Sequence, residues 1–595
     1  MKMRELQRSL KKRAALLLTS CMLLTGCGAA QEPASIAGPQ TGQTATEKIL
    51  AFTHTYTDAE IEKRIEQIGA KYDGLYMPEL DFADNYRSYS KSSAMNGAIM
   101  YEAAGESYDS EDGGYCYEPV PGTYEPADWN TEDYNPVKES GFLSVFTSPF
   151  STFGADVDTA TYTNLRRSIF ENDGFGISDS AIRIEEMINY FHYDYAAPEA
   201  GNKFGVTTVL TNCPWNKDTL LLRVGVKAEE ITPKGGSNIV FLIDTSGSMF
   251  DNDKLPLAQR AFSLLADNLS PEDTVSIVTY AGNEEVVLEG AKGSDTEKIK
   301  NAVSSLQAWG STNGEGGIKK AYEIAEKYFI KGGNNRIILA TDGDLNVGVS
   351  SEAGLISLVE EKRETGVFLS CLGFGTGNYK DNKMEALADH GNGNYSYIDC
   401  TAEATRVLKD EMWSTLYTVA KDVKFQVEFN PEQVKGYRLI GYENREMAAE
   451  DFANDKKDGG EVGSGQTVTV LYEIVPTDSA LSIPQVESRY GNDSTEKTTD
   501  LTDELLAVNI RYKEPDASES KLLTYPVTRE MLKEEMDDDT SFAAGVAEFG
   551  MLLRKSEYSG TASYQEIYDR LKNIPEIMED DFKAEFLYLV KKVSE

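Results

Sequence analysis

NIVFLIDTSGSMFDNDKLPL, residues 238–257, decides how the chain folds. Its apolar run, 239–243, ends in the carboxylate of Asp244, and Thr245, Ser246 and Ser248 follow before a helix start. A buried strand that opens into oxygens reads in two ways, as a polar strand-to-helix turn or as a metal site. Working outward, strand-like runs at 274–280, 285–288, 336–340, 367–374 and 394–398 alternate with helical patterns such as GIKKAYEIAEKYFI (317–330). This alternation predicts an α/β domain over 236–420, a Rossmann-like, doubly wound and mainly parallel sheet with helices on both faces. Ligands of such a sheet bind outside the carboxyl ends of its strands, where Asp244 falls.

The texture on both flanks is different. Two β-like runs, 204–212 and 219–229, precede the α/β segment, and four follow it at 423–430, 437–444, 467–476 and 506–515. The simplest architecture is a β-sandwich-like domain with the α/β domain inserted in it. Helical flanking segments complete the chain: 135–235 holds two helices before its strands, 421–520 is β-rich, and 521–595 is expected to be helical, most clearly from about 538. Farther upstream, 49–134 is expected to be a largely disordered, acidic, Tyr-rich region with one short helix, in which Thr57 and Glu60 have capping-box spacing.

The first residues read as an export signal. Six basic residues within 2–13 precede a mostly apolar stretch, and LTGC (24–27) follows. Leu24-Thr25-Gly26-Cys27 resembles the bacterial lipobox, so 1–26 is expected to be removed and Cys27 lipidated. Residues 27–48 then form a flexible tether. That places the body at the cell membrane, lipid-anchored on its extracytoplasmic face.

The formal charge is −40, and removal of 1–26, which hold six basic residues and one acidic, leaves −45. Such a body excludes nucleic acid as a partner on electrostatic grounds. Cys116, Cys213, Cys371 and Cys400 are too few and too scattered for a disulfide scaffold; Cys371 and Cys400 could pair on neighbouring strands, but a reduced pair is expected.

Three distant segments converge on one edge of the α/β sheet: Asp244-Thr-Ser246-Gly-Ser248, the loop WGSTNGEGG (309–317) with Thr312, and ILATDGDLN (338–346) with Asp342. Together they offer two carboxylates and three hydroxyls, hard donors suited to Mg2+, Ca2+ or Mn2+. At this point the sequence resembles the von Willebrand factor A domains, whose metal-ion-dependent adhesion site joins DxSxS to a separate Thr and a separate Asp. The resemblance implies that Asp244, Ser246, Ser248, Thr312 and Asp342 hold the metal, the hydroxyls directly and the carboxylates directly or through water.

STFGADVDTATYTNLRR, IRIEEMINYF, GGNNRIILATDGDLNVGVSS and YRLIGYENR extend the likeness to bacterial exported A-domain proteins with their own N-terminal flanking region and C-terminal domain. Glu315 departs from the small residue common after the Thr loop. Asp156 and Asp158 in DVDTA imitate the metal pattern but lack its second hydroxyl at Ala160, which favours helix capping. No HExxH and no GxSxG occurs, and GFGTG (373–377) reads as a strand-exit turn. The expected function is therefore non-enzymatic: a surface lipoprotein whose divalent cation engages an Asp or Glu of a protein partner. The alternative is a metal-dependent assembly or regulatory factor docking on a membrane or secretion complex.

Overall fold

A computed structural model describes residues 56–76, 137–172, 179–231, 235–343, 352–377, 379–483, 503–515 and 517–594. Helix α1 (Asp58–Tyr76) starts on the expected capping box: the Glu60 N–H donates to the Thr57 hydroxyl at 3.3 Å, and the Thr57 N–H donates to the Glu60 carboxylate at 2.8 Å. It runs 19 residues, longer than the sequence suggested, and its buried Ile61, Ile65, Ile68 and Tyr72 form one stripe. That stripe cannot be satisfied locally and packs at the other end of the chain, as described below. The rest of the Tyr-rich segment, with Cys27 and Cys116, lies outside the described residues.

Strands β1 (Leu143–Ser144) and β2 (Phe150–Gly154) follow, then α2 (Ala160–Asn172), α3 (Ile184–Asn189), β3 (Phe204–Asn212) and β4 (Leu220–Ala228). The α/β segment comprises β5 (Ser237–Asp244), α4 (Leu255–Asp267), β6 (Thr274–Tyr280), β7 (Glu284–Lys292), α5 (Thr296–Ser304), α6 (Gly314–Lys327), β8 (Asn334–Thr341), α7 (Glu352–Arg363), β9 (Phe368–Phe374), α8 (Asp381–His390), β10 (Tyr395–Ile398), α9 (Thr401–Thr405) and α10 (Met412–Leu416). After it come β11 (Thr418–Phe429), β12 (Val434–Ile440), β13 (Gly460–Gly463), β14 (Thr467–Pro476), β15 (Glu504–Lys513), β16 (Lys521–Thr528), β17 (Leu532–Lys533), α11 (Asp538–Leu553), α12 (Tyr564–Leu571) and α13 (Asp581–Ser594).

The inserted sheet has the order β10-β9-β8-β5-β6-β7, parallel except for β7, which runs antiparallel to β6. Its two faces carry separate cores, one built on Phe241, Phe262 and Leu265, the other on Leu242, Tyr322 and Leu369. All eight residues of β5 are buried, which is why its middle, 239–243, is continuously apolar and not alternating. From β5 the chain steps to β6 on one side and later to β8 on the other. The carboxyl ends of β5 and β8 thus border the switch-point crevice.

Strands from before and after the insertion share two sheets, β1-β12-β14-β4-β3-β17 and β13-β11-β15-β16, with β2 also paired to β11. Their facing side chains, among them Phe153, Val224, Phe425, Tyr472 and Val508, make the sandwich core. The first sheet is covered on its other face as well: Leu221, Ile440 and Leu471 join a third core with α1, α2, α3, α11, α12 and α13. Entry and exit of the α/β domain meet at a neck where Ser237 and Tyr417 share a hydrogen bond through their hydroxyls.

Two expectations change, and the reduced state expected of Cys371 and Cys400 holds. Residues 521–528 are strand β16 and not part of the helical region, which begins with α11; the strand carries Pro526 at a sheet edge and is half exposed, so it has no buried face to advertise. Asp156 and Asp158 do not cap α2: both pair with Arg445, at 3.0 and 3.2 Å, and Asp158 also accepts the Tyr395 N–H at 2.9 Å. Cys213, Cys371 and Cys400 are free and buried.

Candidate metal centre at the switch point

Asp244 ends β5 and is fully buried. One carboxylate oxygen accepts the Ser246 N–H at 2.9 Å and the other accepts the Thr341 hydroxyl at 2.8 Å. Backbone bonds fix the loop that follows: the Thr245 N–H donates to the Tyr280 carbonyl at 3.0 Å and the Gly247 N–H to the Gly310 carbonyl at 3.0 Å. The hydroxyls of Ser246 and Ser248 consequently meet at 3.0 Å.

The second segment is tied to the first. The Trp309 N–H donates to the Thr245 carbonyl at 2.7 Å, so the loop bearing half-buried Thr312 is anchored at both Trp309 and Gly310 before α6 begins. Glu315, in the first turn of α6, is held at 2.5 Å by Lys319 one turn on. Asp342 directly follows β8 and is 1% exposed. Gly343 turns the chain away at φ +84°, where a Cβ would stand 2.7 Å from the Lys380 nitrogen. The Lys254 ammonium donates to Asp342 Oδ2 at 3.1 Å.

The structure therefore brings Asp244, Ser246, Ser248 and Asp342 to one crevice and places the Thr312 loop against it. Three participants were not singled out in the sequence. Thr341 holds Asp244, Lys254 holds Asp342, and Tyr280 supplies a carbonyl; only Thr341, lying inside the quoted ATDG run, carried any signal. Burial pushes Asp244 up to about 6, the Ser246 hydrogen bonds oppose this, and the charge of Asp342 adds to it. A buried pair of carboxylates beside neutral hydroxyls is short of positive charge, which fits a hard divalent cation. Among the described residues no three His, Cys, Asp or Glu side chains form a metal-ligating group, so the centre would rest on hydroxyls for the remainder of its donors. Around the rim, Phe250 is 67% and Trp309 84% exposed.

Three family models match the chain and follow the same division. A model described as von Willebrand factor type A domain matches residues 238–411, one described as von Willebrand factor matches 128–223, and one described as "Uncharacterized protein YfbK, C-terminal" matches 414–595. The Escherichia coli protein "Uncharacterized protein YfbK" is 42% identical over 483 residues, 79% of this chain and 81% of that one. Human "Inter-alpha-trypsin inhibitor heavy chain H4" is 31% identical over 146 residues, 23% of this chain and 16% of that protein. Among solved structures, "von Willebrand factor type A from Catenulispora acidiphila" covers 60% of this chain and 80% of its own, at 17% identity and a TM-score of 0.36.

Proposed function

The chain belongs to the YfbK family, and from that premise we propose that it is a binding protein and not an enzyme, whose A domain captures a protein partner through a divalent cation at the Asp244–Asp342 crevice. A von Willebrand factor A domain is in general a protein-binding module, and the crevice says how this one would work. Asp244, Ser246, Ser248, Thr312 and Asp342 would hold the ion, Mg2+ by preference or Ca2+ or Mn2+. The ion supplies a Lewis-acidic position that an Asp or Glu of the partner fills. The observation that carries the reading is that the segments building this polar crevice also expose two large aromatic side chains, Phe250 two residues after Ser248 and Trp309 bonded through its N–H to the Thr245 carbonyl. Large exposed aromatics on a rim suit a protein surface better than a small solute, because such residues anchor interfaces.

The body is proposed to hang from lipid at Cys27 on the extracytoplasmic face of the membrane. Among the described residues no helix is long and apolar enough to cross a bilayer. A second reading, an assembly or regulatory factor on a membrane complex, is favoured by one feature. Arg445, just past β12 of the sandwich, makes ion pairs with Glu385 and Asp389 of α8, so ion occupancy in the A domain has a rigid route to its flanks.

Cross-linking on native membranes with and without EDTA, for wild type and for Asp244→Ala, Ser246→Ala and Asp342→Ala, tests the site. Cross-links should vanish with chelator and in all three variants; a partner held equally by all would end the proposal. Labelling with a palmitate analogue tests Cys27, and an unlabelled wild type refutes the anchor.

A further inference from the structure

Lys254 stands where local structure gives it no purpose. It is the residue before α4, so its cation faces the positive end of a helix dipole, an arrangement that is mildly unfavourable by itself. Its side chain is 6% exposed, although lysine normally keeps its ammonium in water. The stem fills a slot that exists because residue 375 is glycine: a Cβ there would come within 2.3 Å of Lys254 Cγ. That glycine sits at φ +78° in the GFGTG turn, and its carbonyl accepts the Tyr397 hydroxyl at 2.9 Å. The turn thus has a use beyond ending β9. It aims an ammonium at Asp342 Oδ2, 3.1 Å away and 1% exposed.

We propose that Lys254 is the built-in counter-cation of the crevice, and that it makes the metal-loaded crevice selective for a carboxylate. This rests on the metal-binding reading above. Without a divalent ion, the ammonium offsets part of the charge that Asp244 and Asp342 bring into a buried place. With the ion bound, two carboxylates, one ammonium and one dication leave a single net positive charge. An incoming carboxylate neutralises it. Replacing Lys254 by a neutral residue leaves the loaded crevice already neutral, so the ion is held harder and the carboxylate is wanted less.

Calorimetric titration of the full chain with MgCl2 and MnCl2 reads the first half of this, with Lys254→Met and Lys254→Gln beside wild type. Metal affinity should rise about tenfold or more in both variants, since like charges a few ångströms apart repel by at least that factor at a protein interior's effective dielectric. The second half is read by adding sodium acetate to the Mn2+-loaded proteins and following water-proton relaxation. Acetate should displace metal-bound water at lower concentration from wild type than from either variant. Metal affinity that is unchanged or weaker in folded variants overturns the proposal, as does an identical acetate response. Should Lys254→Met fail to fold, Lys254→Gln, which keeps a hydrogen-bond donor for Asp342, carries the comparison. If wild type itself binds neither ion, the metal-site reading fails and this one with it, an outcome distinct from a wild type that binds and variants that bind no better.

Discussion

Asp244 and Asp342 are both buried carboxylates of one crevice, yet neutralising them should act in opposite directions in chelator. Asp342 has the Lys254 ammonium against it, so Asp342→Asn leaves that ammonium buried and unpaired, at about 3 kcal/mol of stability. Asp244 has only dipoles, and its carboxyl, raised to about 6 from the ordinary 3.8, favours the fold while protonated. That contribution is complete below about pH 4 and is lost as the pH climbs through 6. Asp244→Asn should therefore stabilise the fold with EDTA at pH 7.5, by about 3 kcal/mol and with a higher melting temperature, and change little at pH 4. Saturating Mg2+ should reverse the order at pH 7.5, because only wild type gains from the ion: about 4.1 kcal/mol at a thousand times the dissociation constant. Scanning calorimetry in the two buffers separates these cases. The two carboxylates proposed as ligands, Asp244 and Asp342, could be singled out in the sequence because each stands where an apolar strand run ends. Lys254 was not, since before a helix it reads as any solvated lysine, and only the packing at Gly375 shows where its ammonium goes.

Among the elements, those with one buried face at regular spacing were readable and those defined by a partner were not. Strands β6 and β14 fall where their apolar runs place them, and β5 extends its run by only a few residues. By contrast β1 and β17 are two residues long and exist only because β12 and β3 offer edges to pair with. The stretch between α9 and α10 shows a further case. Arg406 pairs with Glu403 at 2.6 Å and with Glu411 at 2.8 Å, and His192, beyond α3, meets Glu411 at 2.9 Å. Although burial opposes it, the Arg406 charge together with the His192 contact draws Glu411 down to about 2. A depressed carboxyl stabilises the fold above the ordinary value near 4.5 and loses that contribution as the pH falls from there toward 2. Glu411→Gln should accordingly be destabilised by about 3 kcal/mol at pH 7, a gap that stays constant down to about pH 5 and narrows below it. Urea titrations at pH 7, 5 and 3.5 measure this.

At the scale of the molecule, the insertion was legible because β runs bracket the α/β pattern, whereas the helical layer was not. Its members lie at residues 58–76, 160–189 and 538–594, and nothing in one segment announces the others. One link from the layer to the A domain is a buried charge cluster: Arg166 of α2 holds Asp399 at 2.7 Å and Glu403 at 2.9 Å, with Glu585 of α13 at 3.5 Å. Arg166→Met would take the cation from buried Asp399 and Glu585, leaving Glu403 to Arg406 alone, and should lower stability by about 3–5 kcal/mol. Because the loss falls on a contact between layers, the A domain should then melt apart from the remainder, giving two calorimetric transitions where wild type should give one.

The neck at Ser237 and Tyr417 has a mechanical meaning. A domain whose two ends are joined side by side lies outside the line of tension in a chain pulled from its termini, much as a pendant hangs from a taut cord. Tension applied at residue 56 and at residue 594 would first shear α1 along α13, where Lys591 bridges to Glu62 at 3.3 Å, and would reach the sandwich strands next. The crevice of the A domain would keep its geometry while these outer contacts give way.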